Sequence, residues 1–464
     1  MRTHLGVPYG QPANPADRFS ALIDPTSAAP REPGAFPQRP GALDWLLGPA
    51  LAELPQREDA FQLNIWAPAG ASGLPVLFYI PGGAFISGAG TVRWYDGTRL
   101  ASEGKCVVVS VNYRLGMLSH AGEIGGGNLG VGDLVQALRW VGANIAGYGG
   151  DPGRLTMVGQ SAGAFYAFLL SQLEQTRGMI ARTVLLSLAF QPPLGTVEAA
   201  ERRDIVAEAL GHRTAADATG KELLDAQQRI SQAYAGKGLG IMPTADDVVP
   251  SDLFDVAAAA RRLHVGELLL THTASEASAF LGQAPEAAFG QPAVAGYVGA
   301  HFEDAPAVAA HLMALHPGSP KAQLIAAMTL HQFSSYAAEL AQAVGGAGKK
   351  AVSVRFEHAA TDPRMGSAHG IDVPFLFGNR ADWSDAPMLE GTSDADFERV
   401  GAHLRSLVLG FVASGWAGPD ESGDARTGDG TQARGYALDV EGLRGIELDH
   451  RFAAKRPVHT VFGG

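Results

Sequence analysis

The chain has 464 residues, 46% of them hydrophobic, and a formal net charge of −12 at pH 7. This hydrophobic content excludes a disordered chain, and the length allows either two domains or one large α/β domain with insertions. The acidic balance argues against binding to nucleic acids or to anionic membranes. Because Cys106 is the only cysteine, an intrachain disulfide is excluded.

The sequence shows neither a secretion signal nor a membrane span. The first nine residues, MRTHLGVPY, contain no long apolar segment of the kind found in signal peptides. No run approaches the roughly 18 apolar residues that a membrane helix needs. We therefore expect a cytoplasmic protein, monomeric or homodimeric, with no membrane and no nucleic acid as partner.

The first part of the chain alternates between short apolar runs and helical segments. Residues 1–56 are rich in Pro, Ala and Gly and are predicted to form an irregular surface segment. A helix is predicted over 129–145, where apolar residues recur at helical spacing. Apolar runs predict strands at 61–66, 75–80, 107–111, 155–158 and 184–188. Such strands, separated by helices, imply a mostly parallel sheet that is buried on both faces.

Long helical stretches separate the remaining strands. Strands are predicted at 268–271 and 352–356, a helix at 397–415, and weak strand signals appear near 445–448. Segments at about 195–262 and 277–348 are mainly helical. We therefore expect one α/β domain, residues 1–464, in which these two segments are helical excursions from the sheet.

Residues 159–163, GQSAG, place a serine between a predicted strand and a predicted helix. This G-x-S-x-G pattern is typical of a tight turn with Ser161 at its apex, where strand and helix approach so closely that larger side chains would clash. The helix N-terminus would also place unpaired N–H groups beside the serine oxygen. A chain this rich in glycine could also produce the pattern by chance.

A serine nucleophile needs a general base, an acid that orients the base, and donors for the oxyanion. Glu276 follows a predicted strand and is a candidate acid, although a surface glutamate at a helix start would look the same. His369 lies among small residues after the last well-defined strand. His358 and His272 compete with it by position.

Several strings together resemble the type-B carboxylesterase family, which includes para-nitrobenzyl esterases, animal carboxylesterases and cholinesterases. Besides GQSAG, they include NYRLG at 112–116, GNLG at 127–130, GGDP at 149–152 and GSAHGIDVPF at 366–375. The resemblance covers about residues 5–450. It implies an α/β-hydrolase fold with a mostly parallel central sheet, helices on both faces and helical excursions over the active site.

The resemblance also implies roles for individual residues. It implies a catalytic triad of Ser161, Glu276 and His369. It implies oxyanion donors at Gly83, Ala84 and Ala162, and we expect substrate contacts at Gly82 and Phe85. The sequence departs from the family pattern at Pro81, which lacks an N–H group, and at Ala60, which stands where the family has an early cysteine.

The implied reaction is hydrolysis of small-molecule carboxylic esters through an acyl-enzyme, with no metal and no cofactor. The same triad could cleave carbamates or amides, or transfer the acyl group to another acceptor. A non-catalytic binding protein of the same fold is a further alternative, against which the presence of all three triad residues argues.

Overall fold

The computed structural model describes residues 1–120, 127–211, 213–415, 434–447 and 452–456. Its described strands, in chain order, are β1 (Arg2–Pro8), β2 (Gln11–Pro12), β3 (Leu22–Ile23), β4 (Gln62–Ala67), β5 (Leu74–Ile80), β6 (Val107–Val111), β7 (Gly150–Gln160), β8 (Arg182–Leu186), β9 (Glu267–Thr273), β10 (Lys350–Phe356), β11 (Arg434–Asp439) and β12 (Gly442–Glu447).

The described helices surround the sheet and dominate the stretch between β8 and β10. They are α1 (Asp44–Leu47), α2 (Thr98–Gly104), α3 (Gly116–His120), α4 (Leu129–Asn144), α5 (Ala162–Leu170), α6 (Thr196–Leu210), α7 (Gly220–Ala233), α8 (Val256–Arg262), α9 (Ser278–Leu281), α10 (Gln291–His301), α11 (Ala305–Leu315), α12 (Pro320–Thr329), α13 (Ser335–Gly346), α14 (Asp372–Phe377) and α15 (Asp394–Ser414). A π-helical turn, Leu330–Ser334, joins α12 to α13.

Ten of the described strands form one sheet in the order β1-β4-β6-β5-β7-β8-β9-β10-β11-β12. Neighbouring strands are parallel from β6 to β11, and antiparallel pairs lie at both edges. The prediction of a mostly parallel sheet is therefore confirmed. The carboxyl ends of parallel strands meet at one edge, so loops that are distant in sequence are brought together there.

The sheet separates two hydrophobic layers. In β5, Val76 and Phe78 pack into the layer formed with α4, α5 and α13, whereas Leu77 and Tyr79 pack into the layer formed with α2, α14 and α15. This alternation follows from the two-residue period of a strand. It explains why the central strands are continuous apolar runs rather than alternating ones, as predicted.

The prediction that residues 1–56 are irregular is wrong for residues 2–8. These residues form β1, which pairs antiparallel with β4 at the edge of the sheet. The register shifts between His4 and Val7, and the N–H of Gly6 donates to the Asn64 side chain at 2.8 Å instead of continuing the ladder. Edge strands tolerate such interruptions and prolines, so the sequence of β1 lacks the alternation that marks a regular strand.

A buried ion pair ties the N-terminal segment to the sheet. Arg114 follows β6, and its guanidinium is bound by Asp133 of α4, with the two side chains 2% and 0% exposed. The Arg114 Nη1 atom also donates to the carbonyl oxygens of Arg18 and Ser20, at 3.1 and 3.0 Å. Arg114, held by Asp133, therefore anchors the part of the N-terminal segment around residues 18–20.

Candidate active site

Ser161 lies at the turn between β7 and α5, as the sequence predicts. Its backbone has φ +56° and ψ −121°, a strained conformation that non-glycine residues adopt only where surrounding contacts enforce it. A Cβ atom at Gly163 would lie 2.0 Å from the Ile80 carbonyl oxygen, and one at Gly159 would lie 2.2 Å from the Gly163 oxygen. The two glycines of the pattern are therefore required by close backbone contacts.

Glu276 and His369 meet at the carboxyl ends of the neighbouring strands β9 and β10. His369 Nδ1 lies 2.5 Å from Glu276 Oε2, and the two side chains are 3% and 0% exposed. The second carboxylate oxygen, Oε1, accepts the N–H of Thr273 at 2.7 Å. The Glu276 carboxylate is thus held at one oxygen by the backbone, which leaves the other to orient the imidazole.

The other imidazole nitrogen faces the nucleophile turn. His369 Nε2 lies 3.4 Å from Nε2 of Gln160, the residue before Ser161. An amide N–H can donate only to an unprotonated ring nitrogen, so this contact and the Glu276 contact agree on a proton at Nδ1. Within the described residues, no hydrogen bond joins Ser161 Oγ to His369. Hydrogen bonds of this kind often shorten only when a substrate binds.

The two competing histidines have different surroundings. His272 lies in β9 and is buried, and desolvation lowers its pKa to about 4. The ring of His358 packs against Phe375 with a centroid distance of 4.7 Å, and desolvation lowers its pKa as well. Among the three histidines, the geometry pairs His369 with the carboxylate.

The glycine-rich loop after β5 lies against the nucleophile. A Cβ atom at Gly82 would be 2.9 Å from Ser161 Cβ. Ala84 and Phe85 both have positive φ angles, +52° and +65°, so their N–H groups are directed differently from those of an extended chain. Pro81 contributes its carbonyl oxygen, which accepts the Tyr113 hydroxyl at 2.9 Å. The predicted oxyanion loop is thus adjacent to Ser161.

Phe85 is placed with its ring in the core. The side chain is 2% exposed and packs edge-on against Phe165 and Tyr166, with centroid distances of 5.3 and 5.5 Å. These contacts are with α5, the helix that begins after Ser161. Its predicted role as a substrate contact remains a prediction.

Two aromatic rings flank His369 that sequence reasoning missed. Phe280 is 52% exposed, and its ring centroid lies 5.4 Å from the imidazole. Phe333 is buried, and its centroid lies 5.6 Å from the same ring. Phe280 lies only four residues after Glu276, so its position in the sequence indicates that it is near the candidate acid. Phe333 lies in the π-helical turn, and no local pattern associates it with the site.

A second buried carboxylate lies next to the pair. Asp372, at the start of α14, is 1% exposed, and neither of its oxygens has a hydrogen-bond partner within the described residues. Burial, with repulsion from Glu276, raises its pKa to about 7, while His369 opposes the shift. Burial therefore favours the protonated form of this carboxyl beside the Glu276–His369 pair.

The described residues contain no cluster of three or more His, Cys, Asp or Glu side chains that could hold a metal ion. A cavity of about 840 Å³ is lined by residues between Arg380 and Glu398. Ser161, Glu276 and His369 do not line it. Over the residues that the structure covers, no helix has the length and apolarity needed to cross a bilayer.

The model of the carboxylesterase family matches residues 1–415. The chain belongs to the carboxylesterase family. It is therefore a carboxylic-ester hydrolase, and the resemblance seen in the sequence is confirmed. A solved structure of a PNB esterase has a TM-score of 0.79 and 24% identity to this carboxylesterase, over 97% of this chain and 94% of the other. The expected α/β-hydrolase fold is thereby confirmed.

Two relatives align with most of this carboxylesterase. A probable N-octanoylanthranilate hydrolase, AqdA2, of Rhodococcus erythropolis is 32% identical over 437 residues, which cover 88% of each chain. Phenmedipham hydrolase of Pseudarthrobacter oxydans is 28% identical over 446 residues, 88% of this chain and 86% of the other. Family members with different named substrates are thus similar to this carboxylesterase over nearly its whole length.

Proposed function

We propose that the protein hydrolyses small-molecule carboxylic esters with a Ser161–His369–Glu276 triad and an acyl-enzyme intermediate. The observation that carries the proposal is the buried contact of 2.5 Å between His369 Nδ1 and Glu276 Oε2, beside the strained turn that presents Ser161. In this proposal the chain forms one domain, and helical excursions at about 195–262 and 277–348 cover the active site.

In this mechanism each residue acts through one atom. Ser161 Oγ attacks the ester carbonyl, and its proton passes to His369 Nε2, which later returns it to the leaving alcohol. Glu276 holds the proton on Nδ1 and stabilises the imidazolium. Water then attacks the acyl-enzyme with His369 again as base, and the acid leaves. No metal or organic cofactor takes part in these steps.

The proposed oxyanion donors are the N–H groups of Gly83, Ala84 and Ala162. They bind the carbonyl oxygen when it becomes negatively charged. Loss of one such donor typically raises the activation free energy by about 2.7–4 kcal/mol. Gly82 and Phe85 are the proposed substrate-contact residues. Phe280 and Phe333 add aromatic surface on either side of the imidazole.

A second candidate reaction is amide hydrolysis by the same triad. It is favoured by the similarity to a probable N-octanoylanthranilate hydrolase, because an N-octanoyl group is joined through an amide bond. Carbamate cleavage and acyl transfer also proceed through a covalent intermediate on the nucleophilic serine. These reactions differ in pocket shape and water access rather than in the triad.

The proposal is tested by kinetics on a 4-nitrophenyl ester series and on N-octanoylanthranilate. We expect hydrolysis of the esters by the wild type, and a fall of roughly 10⁴- to 10⁶-fold in kcat for Ser161→Ala and His369→Ala. Glu276→Gln should cost roughly 10⁴-fold, because the imidazole loses its orienting charge. Variants that keep wild-type rates would contradict the triad. A higher kcat/KM for the amide than for every ester would favour the second candidate.

A further inference from the structure

The buried side chain of Gln38 binds the end of the glycine-rich loop. Its Nε2 atom donates to the carbonyl oxygens of Gly88 and Phe36, both at 3.1 Å, and its Oε1 atom accepts the N–H of Gly88 at 2.7 Å. One amide therefore satisfies both backbone groups of Gly88. Gln38 is 6% exposed and comes from the N-terminal segment, which contains none of the proposed catalytic residues.

Gly88 in turn lies against the first peptide of the proposed oxyanion hole. Its φ is +109°, and a Cβ atom there would be 2.3 Å from the Gly82 carbonyl oxygen. That oxygen shares a rigid peptide plane with the N–H of Gly83. The position of Gly88 therefore sets the direction of the Gly83 N–H, which is one of the proposed oxyanion donors.

The next peptide is fixed from the same end of the loop. The Gly83 carbonyl oxygen accepts three hydrogen bonds, from the N–H of Ile86 at 3.0 Å, the N–H of Ser87 at 2.9 Å and the Ser87 hydroxyl at 3.1 Å. Since this oxygen shares a plane with the N–H of Ala84, the three bonds aim the second proposed donor.

The loop is strained and needs this support. Ala84 and Phe85 both have positive φ, a conformation that persists only when surrounding contacts over-determine it. At the far end, the Phe85 carbonyl oxygen accepts the N–H of Gly116 at 2.7 Å. The Gln38 amide joins the N-terminal segment to the end of this loop by hydrogen bonds to both backbone groups of Gly88.

We infer that Gln38 is a positioning residue for the oxyanion hole; this inference rests on the proposed function. Without its hydrogen bonds, the backbone groups of Gly88 lose their partners and the peptides of Gly83 and Ala84 relax away from Ser161. Oxyanion donors bind mainly in the transition state, so their displacement lowers kcat and leaves KM nearly unchanged.

The test uses three variants of the full chain. Gln38→Met keeps the volume of the side chain and removes its hydrogen bonds, and Gln38→Glu keeps an acceptor for the Gly88 N–H but loses the donor. The matched control is Gln11→Met, which makes the same change at another glutamine of the N-terminal segment. The Gln11 Oε1 atom accepts the N–H and the hydroxyl of Thr26, both at 3.0 Å, and Gln11 has no described contact with the loop.

Each variant is titrated with a fluorophosphonate, so that kcat is expressed per labelled serine. The readouts are kcat, KM and the Ki of an aryl trifluoromethyl ketone, which forms a tetrahedral oxyanion adduct on the nucleophile. For Gln38→Met we expect kcat to fall about 10- to 100-fold, the cost of donor displacement by about 1 Å. Ki should rise by the same factor, and KM should stay within about twofold. Gln11→Met should match the wild type.

A kcat per labelled serine within twofold of wild type, or a change in KM without a change in the ketone Ki, would overturn the inference. If Gln38→Met does not fold, Gln38→Glu decides by the same criteria. Failure of the proposed function is recognised separately, because the wild type would then take no fluorophosphonate on Ser161.

Discussion

Gly163→Ala is the substitution for which helix propensity and tertiary structure predict opposite results. Gly163 is the second residue of α5, and alanine in place of glycine in a helix normally stabilises by roughly 1 kcal/mol. In this structure the added Cβ would lie 2.0 Å from the Ile80 oxygen and 2.8 Å from the Pro81 oxygen. Both are backbone atoms, so no side-chain rotation relieves the contact.

The magnitude follows from the distance. Real Cβ contacts are essentially never shorter than 3.0 Å, so α5 and the loop after β5 must separate by about 1 Å. A displacement of that size between nucleophile and oxyanion donors costs about 10²-fold in rate, and overpacking costs about 1–3 kcal/mol of stability. We therefore expect kcat/KM on an aryl ester to fall about 10²-fold. We expect the free energy of unfolding, measured in urea, to fall by about 1–3 kcal/mol.

Gly132→Ala is the matched control. Gly132 is an exposed glycine inside α4, and a Cβ atom there would meet nothing within 4 Å. This variant should gain roughly 0.5–1 kcal/mol and keep its activity. A Gly163→Ala variant that is as stable and as active as the wild type would refute the close-packed turn.

Three further predictions follow from the buried charges and the exposed ring beside the site. Asp133→Ala leaves the Arg114 guanidinium buried and unpaired, so the free energy of unfolding should fall by about 3–5 kcal/mol in urea titrations. Asp372→Asn should stabilise the protein at pH 8 by at most about 4 kcal/mol and have little effect near pH 4. The raised pKa of about 7 means that the folded state favours the protonated carboxyl, so stability is lost as pH rises from about 4 to about 7. Phe280→Ala should raise KM for aryl esters about 2- to 10-fold and leave stability nearly unchanged, because a half-exposed ring beside His369 contributes contact area to substrate more than to the core.

Each of these predictions has a control and a result that contradicts it. The control for Asp133→Ala is Arg177→Ala, which breaks an exposed ion pair and should lower the free energy of unfolding by less than about 1 kcal/mol. If Asp133→Ala lowers it by no more than this, the buried pair does not anchor the N-terminal segment. For Asp372→Asn, a gain that is the same at pH 5 and pH 8 would contradict its titration. Met313→Ala removes another half-exposed apolar side chain, and a KM effect equal to that of Phe280→Ala would show that the effect is not local.

The central sheet was predictable because burial on both faces is visible in the residues of each strand. Strands buried on both faces must be continuous apolar runs, and β5, β6, β8, β9 and β10 are such runs. The prediction for β7 covered only residues 155–158, whereas the strand begins at Gly150. Its first half is polar and exposed, so periodicity could not reveal it. β1 was missed because an interrupted edge strand has no regular pattern.

Residues of the candidate site were predictable where they belong to strings that resemble the family. They were not predictable where side-chain packing alone determines that a residue lies at the site. The resemblance indicated Glu276 and His369, which lie 93 residues apart and come together at neighbouring strand ends. No sequence signal places the Gln160 amide against His369 Nε2, because that contact depends on a side-chain rotamer. Gln38 and Phe333 belong to segments whose docking on the site is set by the fold as a whole.

The most direct test of Ser161 as the nucleophile is intact-mass analysis after treatment with a fluorophosphonate, on the wild type and on Ser161→Ala. We predict one adduct on the wild type, mapped by peptide analysis to Ser161, and none on the variant. No adduct on well-folded wild type, or an equal adduct on Ser161→Ala, would contradict the assignment of Ser161 as an activated nucleophile.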